Sequence, residues 1–218
     1  MKMKNNLGFS LYVITDRKLA GSRLITDVVR RAVLGGATII QLRDKDASDE
    51  ELIAVGKELM KITQGKIPLI INDNIKAAMA IGAQGIHLGQ KDMPALKAKE
   101  MIGDAMILGV SASSVEEAIR AEKDGADYIG AGPIFPTSTK PDASPAIGLE
   151  GLKNIKNAVS IPVVAIGGIN MKNAGEVAKI ADGVAVVSAI MPARDPKRAA
   201  EELLKIFINV KNNKQQRG

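Results

Sequence analysis

Cysteine is absent from the chain, and histidine occurs once, as His87. The first absence excludes disulfides, thiolate zinc sites and a cysteine nucleophile. The second excludes a histidine-rich metal centre. A divalent metal would need oxygen ligands, which favours Mg²⁺ or Mn²⁺ over Zn²⁺. Aromatic residues make up only 2% of the 218 residues, so Ile, Val, Leu, Ala and Met must fill the core. No apolar run approaches the ~18 residues of a membrane span. Met1–Gly8 is polar and lacks the apolar stretch of a secretory signal. These absences point to a cytoplasmic protein without a membrane partner.

What is present is ordinary for a globular chain: 46% hydrophobic and 25% charged residues. The net charge of +6 gathers partly in the ends, Met1–Asn6 and Lys211–Gly218. Without the interleaved aromatics of a single-strand binder, this balance suits anionic small substrates better than nucleic acid.

Short apolar runs alternate with longer stretches of helical periodicity. Eight strands are predicted: Phe9–Thr15, Thr38–Leu42, Ile67–Ile71, Gly85–Leu88, Met106–Val110, Tyr128–Ala131, Ile161–Ile166 and Val184–Val187. Continuous runs such as Pro68-Leu69-Ile70-Ile71 are how strands buried on both faces read. Leu52, Val55, Leu59 and Ile62 recur at helical spacing after Ser48, with Glu51 completing a capping box. Ser113 and Glu116 repeat that box, and Ala199, Leu203, Leu204 and Phe207 mark the last helix. Eight units of about 27 residues predict an α/β fold, a single-domain (β/α)₈ TIM barrel. A doubly wound open sheet also alternates, but no G-x-G-x-x-G follows the first strand. The domain reading is a polar extension at 1–8, the barrel at 9–210 and a disordered polar tail at 211–218.

In such a barrel the loops after the strands build the site. Strand two runs into Gln41-Leu42-Arg43-Asp44-Lys45, where alternation puts Gln41, Arg43 and Lys45 on one side. That set suits an anionic group beside a polar ring, or else a solvated loop. Asp73 and Asp92 follow strands three and four. They can share a Mg²⁺ or cap the next helices, and sharing is favoured because no better metal candidates exist. His87 reads as a structural residue. Ser113 reads as a helix cap, while Ser111 stands nearer the strand end, within reach of a phosphate oxygen.

After strand six, roughly sixteen residues precede the next helix. Loops this long are usually functional or disordered. Thr137, Thr139 and Lys140 would grip phosphate there, in a lid or a solvated flap. Gly167-Gly168 and Val187-Ser188 end strands seven and eight, where backbone N–H groups at a helix start bind phosphate in many barrels.

Taken in order from about Leu11 to Phe207, the chain resembles the thiamin-phosphate synthase family. The matching segments are Gln41-Leu42-Arg43-Asp44-Lys45, Asn72-Asp73, His87-Leu88-Gly89-Gln90-Lys91-Asp92, Gly109-Val110-Ser111, Gly130 to Lys140, and Ala165-Ile166-Gly167-Gly168-Ile169. The resemblance implies a Mg²⁺-dependent transferase that joins a pyrimidine diphosphate to a thiazole phosphate. It implies that Asp73 and Asp92 hold Mg²⁺ against the diphosphate, with Arg43, Lys45, Asn72 and Ser111 around it and Gln41 near the pyrimidine. Thr137, Thr139 and Lys140 would close over the substrates, and Gly168, Val187 and Ser188 would take the thiazole phosphate. Arg43, Lys45, Ser111 and Lys140 are the expected catalytic set.

Many relatives carry His where Ser113 stands here. A thiazole tautomerase of the same fold is the alternative. Such relatives tend to lose the metal pair and carry His after strand six, where this chain has Pro133. A Schiff-base aldolase using Lys45 or Lys140 would need a desolvated lysine. A phosphate-ligand binding protein on a barrel scaffold is the non-enzyme reading.

Overall fold

The computed structural model describes residues 8–139 and 144–215; of Lys214 and Gln215 only the backbone is described. Lys140 lies outside the described residues, as do residues 1–7 of the expected N-terminal extension. In chain order the elements are β1 (Leu11–Ile14), α1 (Arg17–Ala20), α2 (Ile25–Leu34), β2 (Ile39–Leu42), α3 (Asp49–Thr63) and β3 (Leu69–Asn72). Then come α4 (Ile75–Ile81), β4 (Gly85–Leu88), α5 (Ala95–Ile102), β5 (Ile107–Ala112), α6 (Val115–Lys123) and β6 (Tyr128–Ala131). The last are α7 (Gly148–Ala158), β7 (Val163–Ile166), α8 (Ala174–Ala178), β8 (Gly183–Val186) and α9 (Pro196–Gln215).

All eight strands are parallel and form one closed barrel in sequence order. Pairing of β1 with β8, Leu11 opposite Val184 and Val13 opposite Val186, excludes the open sheet. Several strands, among them β1, β3 and β7, start later than their apolar runs because the first residues of those runs lead up to the barrel rather than joining it.

Successive side chains alternate between two cores. Leu11, Val13, Ile40, Leu42, Ile86, Leu88, Val163 and Val184 face outward against the helices. Tyr12, Ile14, Ile39, Ile70, Ile107, Tyr128, Val164 and Ala185 fill the interior. Both sides of each strand are therefore apolar for much of its length, which produces the unbroken runs.

At the N-terminal rim a polar clasp recurs. The residue before each even-numbered strand accepts a hydrogen bond from an N–H near the start of the preceding odd-numbered strand. Thr38 Oγ1 accepts from Leu11 at 3.0 Å, and Gln84 Oε1 accepts from Leu69 at 2.9 Å. Asp127 accepts from Leu108 and Asp182 from Val163, both at 2.8 Å. The same four residues also donate their own N–H back, to the carbonyls of Leu11, Leu69, Leu108 and Val163.

Helix ends follow local chemistry. Ser48 and Glu51 form the expected capping box on α3. The expected box at Ser113 and Glu116 is shifted by one residue. Ser114 caps α6 by accepting from Glu117 N–H, and Glu117 reaches back to Ser113. The strand runs on through Ala112, so the chain turns into the helix one residue later than expected.

The expected tail at 211–218 is corrected over 211–215, where α9 continues to Gln215, and residues 216–218 lie outside the described residues. No proline or glycine interrupts the chain until Gly218. Val210 packs on the core, and the Lys211 ammonium lies 5.4 Å from the Phe207 ring centre. That anchoring lets the last turns propagate.

Candidate functional site

At the C-terminal end of the barrel lies a cavity of about 290 Å³. Its lining includes Gln41, Arg43, Lys45, Asn72, Asp73, Asp92, Ser111, Thr137, Thr139, Gly168, Val187 and Ser188. Every expected site residue among the described ones therefore reaches one space.

Arg43 is set by its backbone. Thr15, fully buried at the end of β1, accepts from Arg43 N–H at 2.9 Å and donates to Arg43 C=O at 3.0 Å. Between Arg43 and Lys45, Asp44 turns away to bind Arg17 at 2.5 Å. The alternation thus puts Arg43 and Lys45 on the cavity side, with Arg43 half-buried and Lys45 still open to solvent.

Neither Asp73 nor Asp92 caps a helix. Asn74 caps α4 through Ala77 N–H, and Pro94 occupies the cap of α5. Asp73 has φ 60°, the left-handed region that costs a non-glycine residue of order 1 kcal/mol or more. Its N–H is held by His87 C=O at 2.9 Å. Its carboxyl lies within hydrogen-bonding reach of Asp92 and near Lys45. Burial, and then the Asp92 carboxyl beside it, push the Asp73 carboxyl up to about 7, against a weaker downward pull from Lys45 and Asn72. Asp92 is fixed by Gly89 N–H at 2.7 Å, and a Cβ on Gly89 would stand 2.9 Å from that carboxylate oxygen.

This donor set fits a hard divalent cation. It offers carboxylate oxygen only, and two carboxyls crowded together are relieved by a positive charge between them. Among the described residues no cluster of three or more His, Cys, Asp or Glu forms a metal site. Two protein ligands suit Mg²⁺, which commonly keeps waters and takes substrate oxygens.

Across the mouth, the loop after β6 is anchored on the loop after β7. Ile134 N–H donates to Ile166 C=O at 2.8 Å and Phe135 N–H to Gly167 C=O at 3.1 Å. Ile147 N–H returns to Pro133 C=O at 2.8 Å. A Cβ at Gly167 would fall 2.5 Å from Pro133, and one at Gly168 would fall 2.7 Å from Phe135. Thr137 and Thr139 face inward and Ser138 outward, with Thr139 N–H on Thr137 Oγ1 at 3.2 Å.

The expected helix start at the glycine pair is corrected. The short α8 begins only at Ala174, and Ser188 starts a single turn closed onto Val187 C=O. Asn173 shapes the turn instead, donating to Gly168 C=O at 2.9 Å. Among the described residues, the N–H groups of Gly168 and Ser188 form no hydrogen bond. Arg23 holds the far side of the Ser188 turn through the carbonyls of Met191 and Ala193.

The floor contains what the sequence reading missed. Tyr12 and Tyr128, the two tyrosines of the chain, point inward and are fully buried, and burial raises both phenols well above their usual range. Gln41, Tyr12, Tyr128, His87 and Ser111 form one continuous row of hydrogen bonds. The available signal was inward alternation: Tyr12 lies two residues before Ile14, and Tyr128 lies two before Gly130. Ser144 also lines the mouth.

The family model described as thiamine monophosphate synthase matches residues 11–190. The chain belongs to that family. It is 48% identical over 204 residues to the thiamine-phosphate synthase of Clostridium tetani, covering 93% of this chain and 97% of that one. Against the thiamine-phosphate synthase of Clostridium acetobutylicum the identity is 49%, with coverage of 92% and 96%. The solved thiamine phosphate pyrophosphorylase of Pyrococcus furiosus superposes with a TM-score of 0.85 at 48% identity, covering 94% of this chain and 98% of that one. Like its synthase relatives the chain is a transferase on the TIM-barrel fold. Among the described residues no helix is long and apolar enough to cross a membrane.

Proposed function

We propose that this barrel joins 4-amino-2-methyl-5-hydroxymethylpyrimidine diphosphate to 4-methyl-5-(2-phosphoethyl)thiazole, or its carboxylated form, giving thiamin phosphate and pyrophosphate, with CO₂ also released from the carboxylated acceptor. The observation that carries this reading is a single cavity lined by two groups of residues suited to anions. One group has Arg43, Lys45 and the Asp73–Asp92 pair, and the other has the N–H groups of Gly168 and Ser188, which have no hydrogen-bond partner among the described residues. A donor with a diphosphate and an acceptor with a phosphate need that layout. Both are small soluble anions, so we place the enzyme in the cytoplasm.

Asp73 and Asp92 would hold Mg²⁺, which supplies charge stabilisation to a departing diphosphate. Arg43 and Lys45 face the diphosphate oxygens as they gain charge, and Asn72 and Ser111 add neutral donors beside them. The carbon–oxygen bond breaks with its electron pair leaving on the diphosphate. The thiazole nitrogen then gives its lone pair to the pyrimidinylmethyl carbon. No protein base is required, which suits a site with one histidine and no cysteine. What the chain provides is alignment of two substrates and a polar setting for the leaving group. Gly168, Val187 and Ser188 hold the acceptor by its phosphate. Thr137 and Thr139 cover the pair.

Purified protein mixed with both substrates and Mg²⁺ should form thiamin phosphate and pyrophosphate in equal amounts. EDTA and Asp92→Ala should each abolish both products. A folded protein that binds the thiazole phosphate but yields no coupled product would overturn the reading and favour the tautomerase.

A further inference from the structure

The five-residue row under the cavity has a direction. Gln41 Nε2 donates to the Tyr12 hydroxyl at 2.8 Å, and the Tyr12 and Tyr128 hydroxyls meet at 2.8 Å. The Tyr128 hydroxyl meets His87 Nδ1 at 2.9 Å, and His87 Nε2 meets Ser111 Oγ at 2.9 Å. A neutral imidazole carries one N–H, and each phenol has one proton to give. With every link made and His87 neutral, the row can therefore point only one of two ways.

In the first direction, Gln41 donates to Tyr12, Tyr12 to Tyr128, Tyr128 to His87 Nδ1, and His87 Nε2–H to Ser111. Gln41 is then left with its carbonyl oxygen as a free acceptor, together with its second N–H. Ser111 is left with a free O–H. In the second direction every link reverses. Gln41 must turn its amide over and present its NH₂ to the cavity, and Ser111 commits its proton to His87 and presents only lone pairs. The two ends therefore change together. With both tyrosines fully buried, breaking a link leaves a polar group without a partner, at a cost of about 1–3 kcal/mol.

We infer that this buried row is a polarity relay that sets substrate specificity, coupling an acceptor at Gln41 to a donor at Ser111. The inference rests on the proposed function and deepens it. An exocyclic amino group on the pyrimidine needs an acceptor, and an anionic diphosphate needs a donor. The first direction supplies both. A pyrimidine with an oxo group in place of the amino group needs a donor at Gln41, and the second direction serves it better by committing the carbonyl oxygen to Tyr12 and freeing both N–H groups. That direction turns a Ser111 lone pair toward the diphosphate. Tyr12, Tyr128 and His87 are thus positioning residues that select the 4-amino substrate without touching its reacting carbon.

The test compares kcat/KM for the 4-amino and 4-oxo pyrimidine diphosphates, at saturating thiazole phosphate and Mg²⁺, in the unaltered protein, Tyr128→Phe and Tyr12→Phe. Removing one hydroxyl uncouples the ends and frees the Gln41 amide to turn. The amino-over-oxo ratio should then fall roughly tenfold or more in at least one variant, with the oxo substrate losing least. A merely structural role would lower both substrates by the same factor and leave the ratio unchanged in both variants, which overturns the relay. If the unaltered protein joins neither pyrimidine, the proposed function itself fails. If it joins the amino form and the ratios do not move, only the relay fails.

Discussion

Replacing Gly109 with Ala tests how tightly the floor is built. Gly109 faces inward on β5, and its φ is not in the left-handed region, so alanine adds no backbone strain. The cost is steric. An added Cβ would lie 2.1 Å from Tyr128 Cζ, 2.3 Å from its hydroxyl oxygen and 2.4 Å from Cε1. To reach an ordinary contact of about 3.5 Å, the ring must move about 1.4 Å. It has little room to do so. Phe9, Tyr12 and His87 surround it at ring-centre distances of 5.1, 5.9 and 5.5 Å, and its hydroxyl bonds Tyr12 and His87. Overpacking of this kind costs about 1–3 kcal/mol, and straining two buried hydrogen bonds adds about 1 kcal/mol each.

We expect a total near 3–5 kcal/mol, a fall in Tm of about 6–20 °C for a chain this size, and reduced activity from a displaced His87 and Ser111. Calorimetry and urea titration read the first two. The decisive comparison is a double-mutant cycle. In a Tyr128→Leu background the clash is relieved, so adding Gly109→Ala should cost at least 2 kcal/mol less than in the unaltered chain, on the scale of contacting pairs. Equal costs in both backgrounds would refute the steric account.

Further perturbations probe the mouth. The Asp73 carboxyl, raised to about 7 from 3.8, favours folding below about pH 4, and this contribution is lost as pH rises to about 7. On the proposed holding of Mg²⁺ by Asp73 and Asp92, the metal would displace that proton, so its affinity should climb up to about pH 7 and flatten above it. Calorimetry in buffers of different ionisation heat should count a proton released at pH 6 and almost none at pH 8.5; a pH-independent count would contradict the paired-carboxyl geometry. Thr15→Val keeps volume but strips both hydrogen bonds from the Arg43 backbone. It should cost about 1–3 kcal/mol of stability and raise KM for the pyrimidine diphosphate more than for the thiazole phosphate. Arg23→Ala releases the turn that carries Ser188. Steady-state kinetics should show the opposite selectivity, a KM increase of roughly tenfold confined to the thiazole phosphate.

Much of this was legible in the chain because a barrel with helices around it makes unusually direct demands on sequence. Strands covered on both faces read as unbroken apolar runs, and Gly85–Leu88 and Tyr128–Ala131 coincide with the structure to the residue. Residues just past each strand had to face the mouth, which placed Arg43, Asp73, Asp92 and Ser188. What was not legible lay in the third dimension. Tyr12 and Tyr128 are separated by 116 residues, and nothing local says that their hydroxyls meet. His87 read as structural because alternation placed it in a strand but could not show Ser111 beside it. The Ser113 cap missed by one residue because strand length is set by pairing with β6, not by the serine run. The last helix outran its apolar pattern because helix propagation needs no further burial once Val210 is anchored.

The rim clasps bear on how the chain assembles. Each joins residues only 15 to 27 apart and ties strands one and two, three and four, five and six, and seven and eight into pairs. Closure is of another order, since Leu11 must find Val184, with Arg23 and Arg31 reaching Ala193 and Asp195. Loop-closure entropy makes such distant contacts late and slow. The geometry therefore describes four locally closing quarters that accumulate along a growing chain and wait with open edges for the eighth strand. Amide exchange during refolding should protect the clasped N–H groups of Leu69, Leu108 and Val163 before the β1–β8 seam.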